Sequence, residues 1–198
     1  ITASDGTVDV IQSFTITVAN VNDPTTFTST PVTSATQDVS YSYTVETDDI
    51  DTGDTVTLTG TTIPGWLTFT AGTGVLAGTP GNSHVGDHSV VITASDGTVD
   101  VIQSFTITVA NVNDTPTITS TPVTSAIQDV YYTYTVETDD IDTGDTVTLT
   151  GTTIPSWLTF TAGTGVLAGT PGNSHVGDHS VVITASDGTV DVTQSFTI

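Results

Sequence analysis

Apolar and polar residues alternate along most of the chain with a period of two residues. Between positions 99 and 110, one face carries the apolar residues Val99, Val101, Phe105, Ile107 and Val109. The other face carries polar residues such as Ser104, Thr106 and Thr108. Successive side chains of a β-strand point to opposite faces of a sheet, so this period predicts strands with one buried and one exposed face. No segment has the period of an amphipathic helix.

The same alternation predicts the other strands and the fold class. It places Val39, Tyr41, Tyr43 and Val45 inward, and Val56 and Leu58 continue the pattern. Runs bounded by Gly, Pro, Asn or Asp predict strands, here at 27–33, 39–47, 55–60, 66–70, 74–78, 88–94 and 99–110. Seven short strands in a unit of this size predict a two-sheet β-sandwich, so the fold class is all-β.

A long repeat sets the domain organisation. The run ITASDGTVDVIQSFTITVANVND begins at Ile1 and again at Ile92, a period of 92 − 1 = 91 residues. A fixed period identifies the structural unit. We expect residues 1–23 to be the last strands of a preceding repeat, 24–114 to be one sandwich, and 115–198 to be a second sandwich that lacks the end of its last strand. Tandem units of this kind predict an elongated rod.

Composition then excludes several classes of partner. The chain has no Lys, Arg, Cys or Met, and its 22 Asp and Glu residues give a formal charge of −22. Binding to nucleic acid or to anionic lipid is excluded, because no side chain can neutralise phosphate groups. Apolar residues make up 35% of the chain and alternate regularly, which argues against disorder. No apolar run reaches the roughly 20 residues of a membrane span, so no membrane insertion is expected of these residues.

Two acidic runs are the main candidates for chemistry. Glu46, Asp48, Asp49, Asp51 and Asp54 lie within nine residues, and the second repeat has the equivalent carboxylates at Glu137, Asp139, Asp140, Asp142 and Asp145. One interpretation is a solvated loop that keeps the protein soluble. The other is a Ca²⁺ loop, because Ca²⁺ is bound by several carboxylate and carbonyl oxygens from one segment. The Asp-x-Asp spacing favours Ca²⁺.

Several motifs resemble those of dystroglycan-type cadherin-like domains, an Ig-like module of large bacterial and archaeal surface proteins. The resemblance covers nearly the whole repeat. Its motifs include the Tyr41-Ser42-Tyr43 strand, the Asp49-Ile50-Asp51 loop, Pro64-Gly65-Trp66-Leu67 with Gly78-Thr79-Pro80, Ala94-Ser95-Asp96-Gly97, and Asn111-Val112-Asn113-Asp114.

The resemblance implies a Ca²⁺ site at each domain junction. In cadherins, a linker, an Asp-x-Asp loop and the end of a strand meet there. The corresponding residues at the first junction are Asn20, Asn22, Asp23, Asp49, Asp51 and Asp96. Those at the second junction are Asn111, Asn113, Asp114, Asp140, Asp142 and Asp187.

The chain departs from the cadherin pattern in two places, the linker and the preceding domain, and the linker opens with Asn20 or Asn111 rather than Asp. The acidic ligand motif that cadherins contribute from the preceding domain is replaced by Leu-Ala-Gly-Thr-Pro, and the linker closes with Pro24 or Thr115. Fewer charged ligands imply one or two ions per junction, with dissociation constants above about 10⁻⁵ M.

Other candidate sites have simpler structural interpretations. His84 and His88 lie in a loop and are expected to be surface residues, because a zinc pair of this spacing needs a helix. Trp66 and Trp157 precede strand residues and are expected in the core rather than on a sugar-binding face. Asp87-His88-Ser89 is not a catalytic triad, since neighbouring strand residues face opposite ways. We therefore expect no enzymatic activity.

The function that these features favour is an extracellular or cell-surface structural repeat. Ca²⁺ would rigidify tandem domains into a stalk, an adhesin shaft or a filament, with neighbouring copies of the repeat as the first partners. A carbohydrate- or partner-binding module accessory to a polysaccharide-active protein is the alternative, in which glycans or cell-surface molecules are the partners. An inert spacer that needs no ion is a third.

Overall fold

The computed structural model describes all residues 1–198, and the fold is all-β. A hairpin comes first, with β1 (Thr2–Ser4) paired to β2 (Asp9–Ile11). Two sandwiches follow. The helical segments are short 3₁₀ turns at Asn82–His84, Ala162–Thr164 and Asn173–His175. None of them has the length and apolar character needed to cross a membrane.

The first sandwich contains nine strands, two of which have only two residues. They are β3 (Thr26–Phe27), β4 (Ser34–Thr36), β5 (Tyr41–Thr44), β6 (Thr47–Asp48), β7 (Thr57–Thr62), β8 (Leu67–Thr70), β9 (Val75–Gly78), β10 (Gly86–Ser95) and β11 (Asp100–Ala110). One sheet has the order β4-β11-β10-β7 and the other β5-β9-β8, while β3 pairs with β6. All pairs are antiparallel except β4 with β11, which run parallel from Ser34↔Thr108 to Thr36↔Ala110.

The second sandwich repeats this arrangement except that it has no counterpart of β4. Its strands are β12 (Thr117–Ile118), β13 (Tyr132–Thr135), β14 (Thr138–Asp139), β15 (Thr148–Thr153), β16 (Leu158–Thr161), β17 (Val166–Gly169), β18 (Ser180–Ser186) and β19 (Asp191–Thr197). The sheets have the orders β15-β18-β19 and β13-β17-β16, and β12 pairs with β14. The tandem pair of sandwiches predicted from the repeat is therefore confirmed.

The apolar stripes of the two sheets face each other and form the core. In the first sandwich, Leu76 of one sheet and Ile92 and Ile107 of the other are completely buried. Tyr41 packs edge-on against Trp66 at a centroid distance of 5.7 Å. The buried hydroxyl of Tyr41 donates to the carbonyl of Val32. Desolvation raises the pKa of Tyr41 to about 12, with a smaller contribution from Tyr43, so this hydroxyl remains a donor.

Two details of the strand prediction are wrong. Val39 was expected to point inward but is 56% exposed, because Asp38 has a left-handed backbone (φ 59°) and the chain turns there before β5 begins. The predicted strand 27–33 is instead divided between sheets. Residues 26–27 pair with β6, residues 34–36 pair with β11, and Pro31, which cannot donate to a ladder, lies between them.

Residues 1–23 do not pack as their copies in the repeat do. Ile16 and Val18 are 76% and 88% exposed, whereas the equivalent Ile107 and Val109 are 0% and 2% exposed in the core of the first sandwich. The apolar face of this segment is uncovered in the described chain.

Gly78 is the tightest point of the first core. A Cβ on Gly78 would collide with the backbone carbonyl oxygen of Trp66, and Gly169 has the same relation to Trp157. Gly65 has no atom within 4 Å of such a Cβ. The second repeat has Ser156 at the position of Gly65, so a side chain is accepted there.

We expect Gly78→Ala to lower the free energy of unfolding of the first sandwich by about 1–3 kcal/mol or more, as overpacked cores do. Gly65→Ala should leave it within about 0.5 kcal/mol of the parent, as surface substitutions usually do. Urea denaturation of the 198-residue chain measures both. Equal stabilities for the two variants would contradict the close contact at Gly78.

Candidate metal sites at the domain junctions

Each repeat brings three carboxylates together in the loop after its short acidic strand. Asp49, Asp51 and Asp54 each offer an oxygen, and these oxygens lie within 4.8 Å of one another. Asp140, Asp142 and Asp145 form the same group in the second repeat. We call these two groups the first and the second aspartate triad.

Local backbone chemistry explains how the loop gathers its carboxylates. The Asp51 N–H donates to Asp49 Oδ1 at 2.9 Å, and the Asp54 N–H donates to the Asp51 carbonyl at 3.3 Å. Gly53 has φ 110°, a conformation that L side chains rarely adopt. This glycine therefore allows the turn that returns Asp54 toward the other two carboxylates.

Part of this negative charge is buried. Asp51 and Asp142 are only 8% and 4% exposed. Three buried carboxylate oxygens have no hydrogen-bond partner: Asp49 Oδ2, Asp140 Oδ2 and Asp142 Oδ1. Burying an ionised carboxylate without a partner is costly, and the chain has no Lys or Arg to pair with it. Carboxylate oxygens with free lone pairs suit a hard divalent cation such as Ca²⁺.

The interdomain linker is hydrogen-bonded directly to the triads. The Asp23 N–H donates to Asp51 Oδ2, and the Asp114 N–H donates to Asp142 Oδ2, each at 2.6 Å. Asp142 thus uses one carboxylate oxygen to hold the linker and leaves the other without a protein donor. An ion at the second triad would share a ligand with the linker contact.

A second contact joins the linker to the turn that follows β10 or β18. Asn22 Nδ2 donates to Asp96 Oδ2, and Asn113 Nδ2 donates to Asp187 Oδ2, each at 3.0 Å. The other oxygen of Asp187 accepts the N–H groups of Thr189 and Val190 at 2.6 Å. Hydrogen bonds hold the pKa of Asp187 below its usual value. The largest effect comes from the Val190 N–H, followed by the Asn113 side chain and the Thr189 N–H. Asp96 is shifted the same way by Val99, Asn22 and Thr98.

The pKa of Asp145 is shifted in the opposite direction, upward. Desolvation raises the pKa of its carboxyl, and the negative charges of Asp142, Asp140 and Asp187 raise it further. The second triad is thus a place where proton or cation binding is favoured by its neighbours.

The structure brings most of the candidate ligands together but not all of them. Asp49, Asp51, Asp140 and Asp142 are in the triads, and the next contacts are Asn22, Asp23, Asp96, Asn113, Asp114 and Asp187. Asn20 and Asn111 are exposed, and their side chains are outside this hydrogen-bonded network. Asp54 and Asp145 complete the triads, although the resemblance did not include them among the ligands. Their membership of the acidic runs was the only sequence signal.

The histidines and tryptophans have structural roles. Trp66 is 8% exposed in the core, which confirms the packing prediction. His84 and His88 are half-buried rather than surface residues, and the His88 ring lies edge-on to Trp66 at 5.9 Å. His84 Nδ1 accepts the Gly81 N–H at 3.0 Å, and His88 Nε2 contacts the His84 carbonyl at 2.7 Å. Both histidines therefore fix the 3₁₀ turn that contains Asn82.

Comparisons with known families agree with this fold. The sequence profile of the family described as "Putative Ig domain" matches residues 23–110 and 115–198. The chain belongs to this family of Ig-like domains. The sequence-level resemblance to Ig-like and cadherin-like repeats of surface proteins is thereby confirmed.

The chain is also similar to a bacterial adhesin. It is 33% identical over 144 residues to "Serine-rich adhesin for platelets" of Staphylococcus aureus strain MRSA252, an alignment that covers 71% of this chain and 10% of the adhesin. The chain thus spans about a tenth of the length of this curated relative. Together with the family, this relative indicates an extracellular or cell-surface location.

Solved structures show the same fold at low sequence identity. The EC1-2 segment of human protocadherin-24 superposes with a TM-score of 0.53 at 17% identity, covering 89% of this chain and 98% of that one. An endo-fucoidan hydrolase of glycoside hydrolase family 107 gives a TM-score of 0.43 at 27% identity, covering all of this chain and 32% of that one. The latter similarity is too weak to bear on function.

The pKa values of Asp145, in the second triad, and of the neighbouring Asp187 are shifted in opposite directions, which predicts an unusual order of titration. In metal-free solution, the Asp187 carboxyl should titrate below the ordinary 3.8 and the Asp145 carboxyl above it. Asp187 therefore adds stability above pH 3.8 that is lost as the pH falls through its lower folded-state pKa. Protonation of Asp145 has the opposite sign, because the folded state holds that proton more tightly than the unfolded state does.

Carboxyl-carbon NMR of the chain in chelator measures both titrations. Asn113→Ala should move the Asp187 midpoint upward and leave that of Asp96 unchanged, because Asp96 is paired with Asn22. Identical midpoints for Asp145 and Asp187 would contradict the described geometry.

Proposed function

We propose that the two sandwiches are cation-stiffened modules of a cell-surface stalk or adhesin shaft, with one Ca²⁺ site at each aspartate triad. The observation that supports this most is Asp142: it is 4% exposed, holds the linker with one oxygen and has no partner for the other. In a chain without Lys or Arg, a bound divalent cation is the available counter-charge.

The residues around each triad fit Ca²⁺ better than a transition metal. Every donor atom in the triads is a carboxylate oxygen, and hard cations prefer oxygen ligands in flexible arrangements of six to eight. Asp140, Asp142 and Asp145 would hold the ion in the second repeat, and Asp49, Asp51 and Asp54 in the first. When bound, the ion would supply the positive charge that these carboxylates lack.

Stiffening follows from where the triads lie. The linker N–H groups of Asp23 and Asp114 donate to triad carboxylates, so an ion that fixes those carboxylates also fixes the linker relative to the following sandwich. We propose domain boundaries at these linkers, with one sandwich at 24–114 and the next from 115. Repetition of one junction geometry would generate an extended rod.

The similarity to an adhesin and the family membership support a structural role at the cell surface. The alternative role in carbohydrate binding has little support in the chain. Flat rows of exposed aromatic side chains are the usual platform for sugar rings, and the large exposed aromatics are Phe14 and Tyr131, which lie in different parts of the chain.

Calcium binding to the metal-free chain tests the proposal. We expect saturable binding at both triads in calorimetry. Ca²⁺ at about 100 times its dissociation constant should stabilise a site-bearing sandwich by about 2.7 kcal/mol. Asp142→Asn should abolish binding at the second triad and spare the first. Because the substitution removes a repelling charge, it should not lower the melting temperature in chelator.

Asp178→Asn is the matched control, since Asp178 is exposed and outside the triads. It removes the same charge and should keep both sites. Small-angle scattering should show a narrower range of shapes in Ca²⁺ than in chelator for this control and the parent. Equal binding by the Asp142→Asn and Asp178→Asn variants, or melting curves that coincide in Ca²⁺ and chelator, would reject the proposal.

A further inference from the structure

The linker aspartate Asp114 is held from the preceding sandwich by two side-chain amides. Asn82 Nδ2 donates to Asp114 Oδ2 at 2.6 Å, and Gln37 Nε2 donates to the same oxygen at 3.1 Å. No positively charged group takes part. Hydrogen bonds to an ionised acceptor are stronger than those between neutral groups.

Gln37 continues the β4–β11 ladder beyond the end of the strands. The parallel pairing ends at Thr36↔Ala110. Beyond it, the Gln37 N–H donates to the Ala110 carbonyl at 3.0 Å, and Gln37 Oε1 accepts the Val112 N–H at 3.3 Å. The Gln37 side-chain amide also donates to Asp114. It therefore both donates to and accepts from the linker, as the peptide group of a further ladder residue would.

Burial makes these contacts of Gln37 consequential. Gln37 is 2% exposed, and a buried amide that loses its partners leaves donors and acceptors unsatisfied. Asn82 is fixed independently, because its 3₁₀ turn is closed by the His84 ring and by His88. Asn82 therefore presents its amide from a fixed turn, and Gln37 presents its amide from the end of the β4–β11 ladder.

The second repeat shows the same residues without the linker. Gln128 is exposed and its Nε2 donates only to Asp129, at 2.9 Å, and Asn173 is exposed. In the first repeat, the corresponding Gln37–Asp38 contact lengthens to 3.3 Å while Gln37 also bonds to Asp114. In the first repeat, the amide pair thus forms a binding site for the carboxylate of Asp114.

We infer that Gln37 and Asn82 form a cation-independent clamp that fixes residues 111–114 to the preceding sandwich. Opposite the clamp, the Asp114 N–H meets Asp142 of the following sandwich. A single linker residue thus connects an amide site on one side to the carboxylate triad on the other. Loss of cations would then loosen the linker only from the following sandwich. Gln37 and Asn82 would still bind Asp114 and hold the linker to the preceding sandwich.

Double electron–electron resonance in chelator tests the clamp separately from Ca²⁺ binding. The chain has no cysteine, so spin labels can be placed at Ile102→Cys and Thr193→Cys, equivalent exposed positions of the two repeats. Asn82→Asp places a carboxylate against Asp114 with little change of size. We expect it to broaden the distance distribution, whereas Asn173→Asp, its counterpart without a linker contact, should leave the distribution unchanged.

Amide exchange gives a second readout that does not depend on domain orientation. Gln37→Ala should speed exchange of the Val112 N–H by about ten-fold, the factor for one lost hydrogen bond, while amides in β10 stay protected. Gln128→Ala is the control. Unchanged distance distributions for Asn82→Asp together with unchanged Val112 exchange for Gln37→Ala would overturn the clamp. That result would leave the cation proposal standing, because both measurements are made in chelator.

Discussion

The structure depends on how the chain accommodates negative charge without any Lys or Arg side chain to balance it. The chain carries 22 carboxylates and neither Lys nor Arg. Like charges repel one another and oppose compaction. The sandwiches meet this constraint by keeping carboxylates out of the cores, where Leu76, Ile92 and Ile107 are fully buried. Most acidic residues lie instead in turns and at strand ends, and the most buried of them lie beside the interdomain linker.

The junction deals with those buried carboxylates by two chemical means. Backbone N–H groups and side-chain amides satisfy Asp114, Asp96 and Asp187, and the lowered pKa values of Asp96 and Asp187 follow from these donors. Hydrogen bonds do not satisfy the triads, where buried oxygens are left over and the pKa of Asp145 is raised. The proposed cation would bind at the triads, where buried carboxylate oxygens have no hydrogen-bond donor.

This division gives the linker two different attachments. Toward the preceding sandwich, neutral amides hold one carboxylate, which requires no counter-ion and changes little with salt. Toward the following sandwich, a group of carboxylates repels itself until a cation binds. In a junction built this way, the linker would stay attached to the preceding sandwich without cations, and the whole junction would become stiff where divalent cations are available.

The sequence was sufficient for features that depend on local periodicity. Tyr41, Tyr43 and Val45 face the core as the alternation predicts, and Trp66 is packed there as well. Val39 belongs to the same pattern and is exposed, because a left-handed residue before it turns the chain. Alternation cannot report such a turn when the residue is Asp38 rather than Gly.

The junction was predictable only in part. Acidic spacing and the cadherin resemblance pointed to Asp49, Asp51 and their copies, but Asp54 returns to the group through a turn at Gly53 that spacing alone does not specify. Gln37 and Asn82 gave no signal. They are ordinary polar residues far apart in sequence, and only the tertiary fold brings both to Asp114.

Anomalous diffraction from crystals of the chain grown in Ca²⁺ tests the central claim most directly, because it locates each ion and its ligands at once. We predict an ion peak within each aspartate triad, with Asp51 in the first and Asp142 in the second as ligands, and with Asp114 still bonded to Gln37 and Asn82. Saturating Ca²⁺ with no peak at either triad, or with ions bound only elsewhere on the surface, would contradict it.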